Sequence, residues 1–292
     1  MSSENTGTGA RNDFLQQPLS LHLDDCESVE QTLTNTRVGV TRIDGESTTI
    51  EPVQERGAVA AVTDKRLLFA VGREERAERG TRKASDDDFT ASITYDALEA
   101  VEKRTETLTQ SLVVEAADGV TWEFTAREPS AVDTAIECVE QHMADHELAV
   151  ARGHHEAAED AGDAARRAEE LEAALDAYQS AAELLGTDKR RVTDAERAAR
   201  EDAEAVIATL VTAHRDHGAQ SKAAAEWEFA ADNTRSADEL FVDAREAYDR
   251  ALELARAYPP GDPETIERER NEVVEAMEPL TVESAVADAT GN

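Results

Sequence analysis

The residues of this chain best suited to chemistry are histidines at helical spacing. His142 and His146 stand at i, i+4, with His154 and His155 downstream, and His214 and His217 stand at i, i+3. Pairs like these can offer two imidazoles to Zn²⁺ from one helix face. No cysteine or third ligand lies at a useful spacing, and all six sit among polar residues. They read as solvated helix faces, and neither a metal nor a cofactor is expected. Cys26 and Cys138 give no C-x-x-C pair and no disulfide framework. Cys138 adjoins an apolar stripe and is expected as a small buried side chain. The phosphate-loop, dinucleotide and H-E-x-x-H signatures are absent from the sequence. Carboxylates are so abundant that a close pair says nothing about acid–base catalysis. The chain is expected to be no enzyme, with no catalytic residues.

A second candidate is the stretch Gly72 to Lys83, GREERAERGTRK. It carries Arg73, Arg76, Arg79, Arg82 and Lys83 against three glutamates, a local charge of +2. Arginines on a loop between strands can hold a phosphate or carboxylate through two parallel hydrogen bonds. The interleaved glutamates and the adjoining Asp86-Asp87-Asp88 oppose that. A solvated hairpin tip is the leading expectation, an anionic lipid or membrane-surface site the other.

Charge constrains the partners. The 292 residues include 64 acidic and 30 basic ones, for a net charge of -34, and only five of the basic residues are Lys. Such a chain repels itself in dilute buffer. In molar salt the Debye length falls to about 3 Å and the repulsion largely disappears. The acid is spread along both halves, and this Lys-poor, Ala-rich composition resembles proteins of extremely halophilic archaea. Nucleic acid is not expected as a partner, because binding it relies on cations meeting phosphate. With no apolar run of 18 residues and no basic apolar leader at MSSENTGTGARNDF, a cytoplasmic protein is expected.

Residues 1–18 are polar and expected to be disordered, as is a tail at 281–292. Thr36 to Ile43 alternates apolar and polar residues before the turn signal Asp44-Gly45. In AVAAVTDKRLLFAVG (58–72), two apolar runs flank Thr63-Asp64-Lys65-Arg66, which predicts a β-hairpin. Ser92 to Tyr95 is a short strand candidate, and Asp96 is expected to open one helical turn carrying Leu98 and Val101. Ser111 to Ala116 and Val120 to Thr125 read as strands joined at Ala117-Asp118-Gly119. Trp122 and Phe124 share a face, and Trp122 is expected in the sheet core. From Ser130 the period changes, and Val132, Ala135, Ile136 and Val139 mark an amphipathic helix. Whether it runs on through 147–160 as one rod is open. Several strands and one closing helix suggest a small bent sheet or open barrel capped by that helix.

Three segments carry a family resemblance: Val62-Thr63-Asp64-Lys65-Arg66-Leu67-Leu68-Phe69, Ile93-Thr94-Tyr95 leading into Leu98-Glu99-Ala100-Val101, and Leu112 to Phe124 with its Asp-Gly turn. Together, over roughly 24–146, they resemble the PH-like domains of bacteria and archaea in the PH/GRAM superfold. Proteins of this superfold bind phosphoinositides, other lipids or peptides, and many have no known ligand, so the resemblance does not supply the function.

Beyond residue 147 strand signals vanish and a helical period takes over to about 280. Ala164, Ala168, Leu171, Leu175, Tyr178, Ala182 and Leu185 form a stripe with Gly186 as C-cap. Thr193 with Glu196, and Ser236 with Glu239, offer capping boxes. Val206, Ile207, Leu210 and Val211 line one helix, and Phe241, Tyr248 and Leu252 another. Asp262 is expected to cap a helix with Pro263 at its first position and Pro279 at its end. Tyr178-Gln-Ser-Ala-Ala-Glu-Leu184 echoes Tyr248-Asp-Arg-Ala-Leu-Glu-Leu254 at an offset of 70. The second copy resembles a helix of a tetratricopeptide repeat, with a plain bundle or coiled-coil pair as the other reading. Trp227 is expected in the core or, failing that, as an anchor at an interface. The fold class expected is thus α+β: a PH-like module followed by an all-α region. The function expected is a scaffold whose helical half holds a protein partner, with Trp227, Phe229, Tyr178 and Tyr248 as contact candidates. Peripheral anionic-lipid binding through 72–83 is the alternative.

Overall fold

The two apolar runs around Thr63–Arg66 form the hairpin that centres the first half of the chain. In the computed structural model they are β4 (Ala58–Thr63) and β5 (Arg66–Val71), buried along nearly their whole length. The described residues are 15, 19–53, 56–72, 88–107, 109–186, 193–258 and 262–290, with side chains to 277. The chain folds as two compact units, residues 1–146 and 147–292. The class is α+β: antiparallel sheets first, helices after.

Strands β1 (Val29–Asn35), β4, β5 and β6 (Phe89–Thr94) form a four-stranded sheet in the order β1-β4-β5-β6. Five more strands form a second sheet. They are β2 (Val40–Asp44), β3 (Glu46–Ile50), β7 (Leu98–Thr105), β8 (Gln110–Ala116) and β9 (Thr121–Ala126), in the order β3-β2-β9-β8-β7. Phe69 of β5 stacks on Trp122 and Phe124 of β9 at 5.7 and 6.3 Å, so the sheets face one another through these rings. The other face of the hairpin is covered too. Val59, Ala61, Leu68 and Ala70 pack beneath Leu15, Leu19 and Leu23. Coverage on both sides explains why β4 and β5 are apolar without alternation.

Several expectations are corrected. Leu15, inside the stretch expected to be disordered, is 1% exposed. Strands β1 and β3 carry too many polar residues to be read from pattern, and tertiary pairing decides them. Leu98 and Val101 lie on β7, because the helical turn is a 3-10 turn that stops at Ala97. Trp122 and Cys138 are half-buried. No closed barrel forms among the described residues. One corner is joined where Arg127 N–H donates to Thr34 O at 2.8 Å and Asn35 Nδ2 donates to Thr125 O at 3.0 Å.

Helix α1 (Pro129–Asp160) is continuous through 147–160. Its first turns bury Val132, Ala135 and Val139. The second unit adds α2 (Ala164–Leu185), α3 (Asp194–Ala230), α4 (Thr234–Ala257) and α5 (Pro263–Thr290). Asp163 and Thr193 cap α2 and α3 through the N–H groups of Arg166 and Glu196. Asn233, not Ser236, stands at the start of α4, and Pro279 does not end α5. At 37 residues α3 spans about 55 Å and has no break near Ala213. One apolar cluster joins α2 to α3 through Leu171, Leu175 and Val206, and another joins α3, α4 and α5 through Ala225, Phe241 and Ile266. Among the described residues no helix is long and apolar enough to cross a membrane.

Candidate functional site

Strand β6, sequence FTASIT, brings the first unit's recessed surface together. It is fully paired with β5, from Arg66↔Thr94 to Val71↔Phe89, and among the described residues has no strand on its other side. A cleft of about 570 Å³ lies beside it. Ser92, Ile93 and Thr94 form one wall; the β8–β9 turn at Ala116–Asp118, Val120 and Trp122 form the other. Arg42 of β2 sits with its guanidinium carbon 6.0 Å from the Trp122 ring centre and is bonded to Asp44 at 2.8 Å. The cleft therefore combines an aromatic face, a cation and a strand edge.

A second cleft of about 480 Å³ meets the first at Thr94. It is lined by Asp64, Lys65, Tyr95, Asp96, His142, Asp145 and His146. Tyr95 stacks on His142 with ring centres 4.7 Å apart, and its hydroxyl donates to Thr63 O. Burial pushes the Tyr95 hydroxyl's pKa far up, so it remains a donor. The Ser28 N–H holds Asp64 below the usual carboxylate range, and a hydrogen bond from Thr94 does the same for Asp96. Both are ionised at neutral pH.

The β4–β5 hairpin also holds an ion-pair network. The Glu27 carboxylate, its side chain fully buried, accepts from Arg66 Nε at 3.0 Å and Nη2 at 2.9 Å and from the Thr63 hydroxyl at 2.7 Å. The Arg66 hydrogen bonds outweigh desolvation and lower the Glu27 pKa to about 2. This pair ties residues 22–28 to the β4–β5 hairpin and stabilises structure.

The histidines are dispersed. His142 also bonds Glu30 at 3.0 Å and His154 bonds Glu170 at 2.8 Å. His214 is not on a solvated face. It is 7% exposed, meets Glu172 at 3.2 Å, and burial lowers its pKa. Among the described residues no three His, Cys, Asp or Glu side chains gather in a set that could hold a metal ion.

Of the partner-contact candidates, Tyr178 and Tyr248 are buried in the two apolar clusters of the helical unit. Trp227, expected in the core, is 68% exposed, and Phe229 is 38% exposed, both in the last turn of α3. The stretch holding Arg73, Arg76, Arg79, Arg82 and Lys83 lies outside the described residues. Sequence reasoning missed Arg42, Ser92, Thr94 and Asp96 as a group. The available signal was a six-residue strand free of charge and proline in a chain that is 32% charged. No family model matches this chain, and no curated protein matches it.

Proposed function

We propose that this is a non-enzymatic binding and scaffold protein, in which a PH-like module precedes a tetratricopeptide-like or bundled helical region that holds a protein partner. The observation carrying this reading is Trp227. In a chain with two tryptophans among 292 residues, one stands two-thirds in solvent in the last turn of α3. Solvent-facing aromatic anchors carry much of the binding energy at protein interfaces, because they bury a large area with little entropy to lose. Among the described residues the buried side of α3 is supplied by others, Val206 and Ala225 among them. Affinity capture from the native host at its own salt, with wild type and Trp227→Ser/Phe229→Ser compared, tests the reading. A defined protein partner retained by wild type and lost by the variant, at unchanged helix content, is expected. Identical recovery by both would overturn it. So would pelleting with anionic vesicles that depends on Arg73, Arg76 and Arg79, which would establish the lipid alternative.

A further inference from the structure

Sheets that do not bind strands protect their edges with charge, proline, bulges or brevity. Of the four sheet edges among the described residues, three are protected. β1 carries a register shift between Val29 and Gln31 and is bonded at its end to the β9 corner. β7 carries a shift between Leu98 and Ala100 and the charged residues Glu99, Glu102, Lys103 and Arg104. β3 is five residues long and begins with Glu46. Among the described residues, β6 carries no charge, proline or register shift. Outside its ladder to β5, the backbone of Phe89–Ile93 makes no backbone–backbone hydrogen bond among the described residues, while Thr94 opens the 3-10 turn at Tyr95–Ala97. An edge strand aims the N–H and C=O of every second residue away from its sheet. Ser92, Ile93 and Thr94 of this strand line one cleft together with Trp122 and Arg42.

We propose that β6 is a docking edge: an extended, basic segment of a partner protein adds beside it as a fifth strand, with its cationic end past Thr94. This rests on the reading of the protein as a scaffold and names the chemistry of one partner. Main-chain hydrogen bonds supply affinity in such additions, and alternate side chains entering pockets supply specificity. A side chain pointing inward beside Ile93 meets the Trp122 ring, which favours an apolar or β-branched residue. A chain continuing past Thr94 meets Asp64, Asp96 and Asp145, with Lys65 as the one cation of that lining apart from the histidines. The surplus carboxylate favours Lys or Arg at that end and repels an acidic strand. β6 bears no charge, so it adds no repulsion of its own.

The test is selection of a random peptide library, of about ten residues to cover a six-residue strand with overhang, against the full chain at molar KCl. Enrichment of alternating apolar or β-branched sequences with Lys or Arg at one end is expected. Methylating alternate backbone nitrogens of a selected peptide should weaken it about tenfold or more, the loss of one or two main-chain hydrogen bonds. Asp96→Asn with Asp145→Asn, both exposed, should weaken the same peptide without altering the circular dichroism spectrum. Absence of enrichment, selection of acidic or helical peptides, or indifference to methylation would overturn the proposal. So would a dimer by light scattering that Ser92→Lys disperses, because a second copy would then occupy the edge. Peptide binding that persists while Trp227→Ser leaves partner capture unchanged would sink the scaffold reading alone. Partner capture that depends on Trp227 with no peptide selected would sink the edge site alone.

Discussion

Gly218 of α3 and Tyr248 of α4 meet ring against backbone: a Cβ at position 218 would lie 2.8 Å from two carbons of the tyrosine ring. The missing side chain is what lets these helices approach. In an exposed helix Gly→Ala stabilises by about 1 kcal/mol. Tyr248 is buried and cannot retreat, so Gly218→Ala should instead destabilise the protein by about 1–3 kcal/mol, the usual cost of overpacking. In a Tyr248→Leu background the same substitution should become neutral or stabilising. Denaturant unfolding of the double-mutant cycle reads that reversal of sign.

The Glu27–Arg66 pair predicts an acid-sensitive contribution. Glu27 titrates at about 2 when folded and near its ordinary 4.5 when unfolded. Its stabilisation is therefore fully present above 4.5 and is lost as pH falls toward 2. Glu27→Gln should cost about 2 kcal/mol at pH 7 through weakened charge-assisted hydrogen bonds. The gap between variant and wild type should close on acidification. A gap that stays constant from pH 7 to pH 3 would contradict the assignment.

Asn35 and Gly39 predict a fragile corner. Asn35 Oδ1 accepts from Gly39 N–H and its Nδ2 donates to Gly39 O, both at 2.9 Å, closing the loop between β1 and β2. Gly39 has φ +72°, and a Cβ there would lie 1.9 Å from Ile50 O. Gly39→Ala should cost more than about 3 kcal/mol, since left-handed strain and a backbone clash add. Asn35→Ala should cost about 1–3 kcal/mol through unpaired buried groups. Thermal denaturation followed by Trp122 fluorescence, in a Trp227→Phe background, measures both.

His214 predicts weakening on mild acidification. Burial lowers its pKa below the ordinary 6.5, so the unfolded chain takes the proton first. Stability contributed by neutral His214 is present above 6.5 and declines as pH drops below it. His214→Gln should flatten the helical unit's stability profile below the ordinary histidine range. An unchanged pH slope in the variant would remove His214 as the cause.

The net charge of -34 predicts salt dependence. Below about 0.1 M salt, where the Debye length reaches about 10 Å or more, repulsion should unfold the protein. Circular dichroism titrated with KCl measures this, and an intact cooperative fold in dilute buffer would contradict it.

What the sequence determined by itself is what local periodicity and short-range chemistry can carry. The β4–β5 hairpin, the β8–β9 hairpin, the amphipathic start of α1, the Thr193 cap and the Asp262-Pro263 helix start all depend on residues within a few positions of one another. The tertiary structure alone decided what depends on distant partners. Strands β1 and β3 form because β4 and β2 offer ladders, not because VEQTLTN or ESTTI favours a strand. Trp227 faces solvent because the smaller Ala225 fills the contact of α3 with α4 and α5, a choice that helical spacing cannot make. The clefts beside β6 gather Arg42, Thr94, Asp96, Trp122 and Asp145 from four separate segments. Sequence distance hides such a surface, because packing of one sheet over the other creates it.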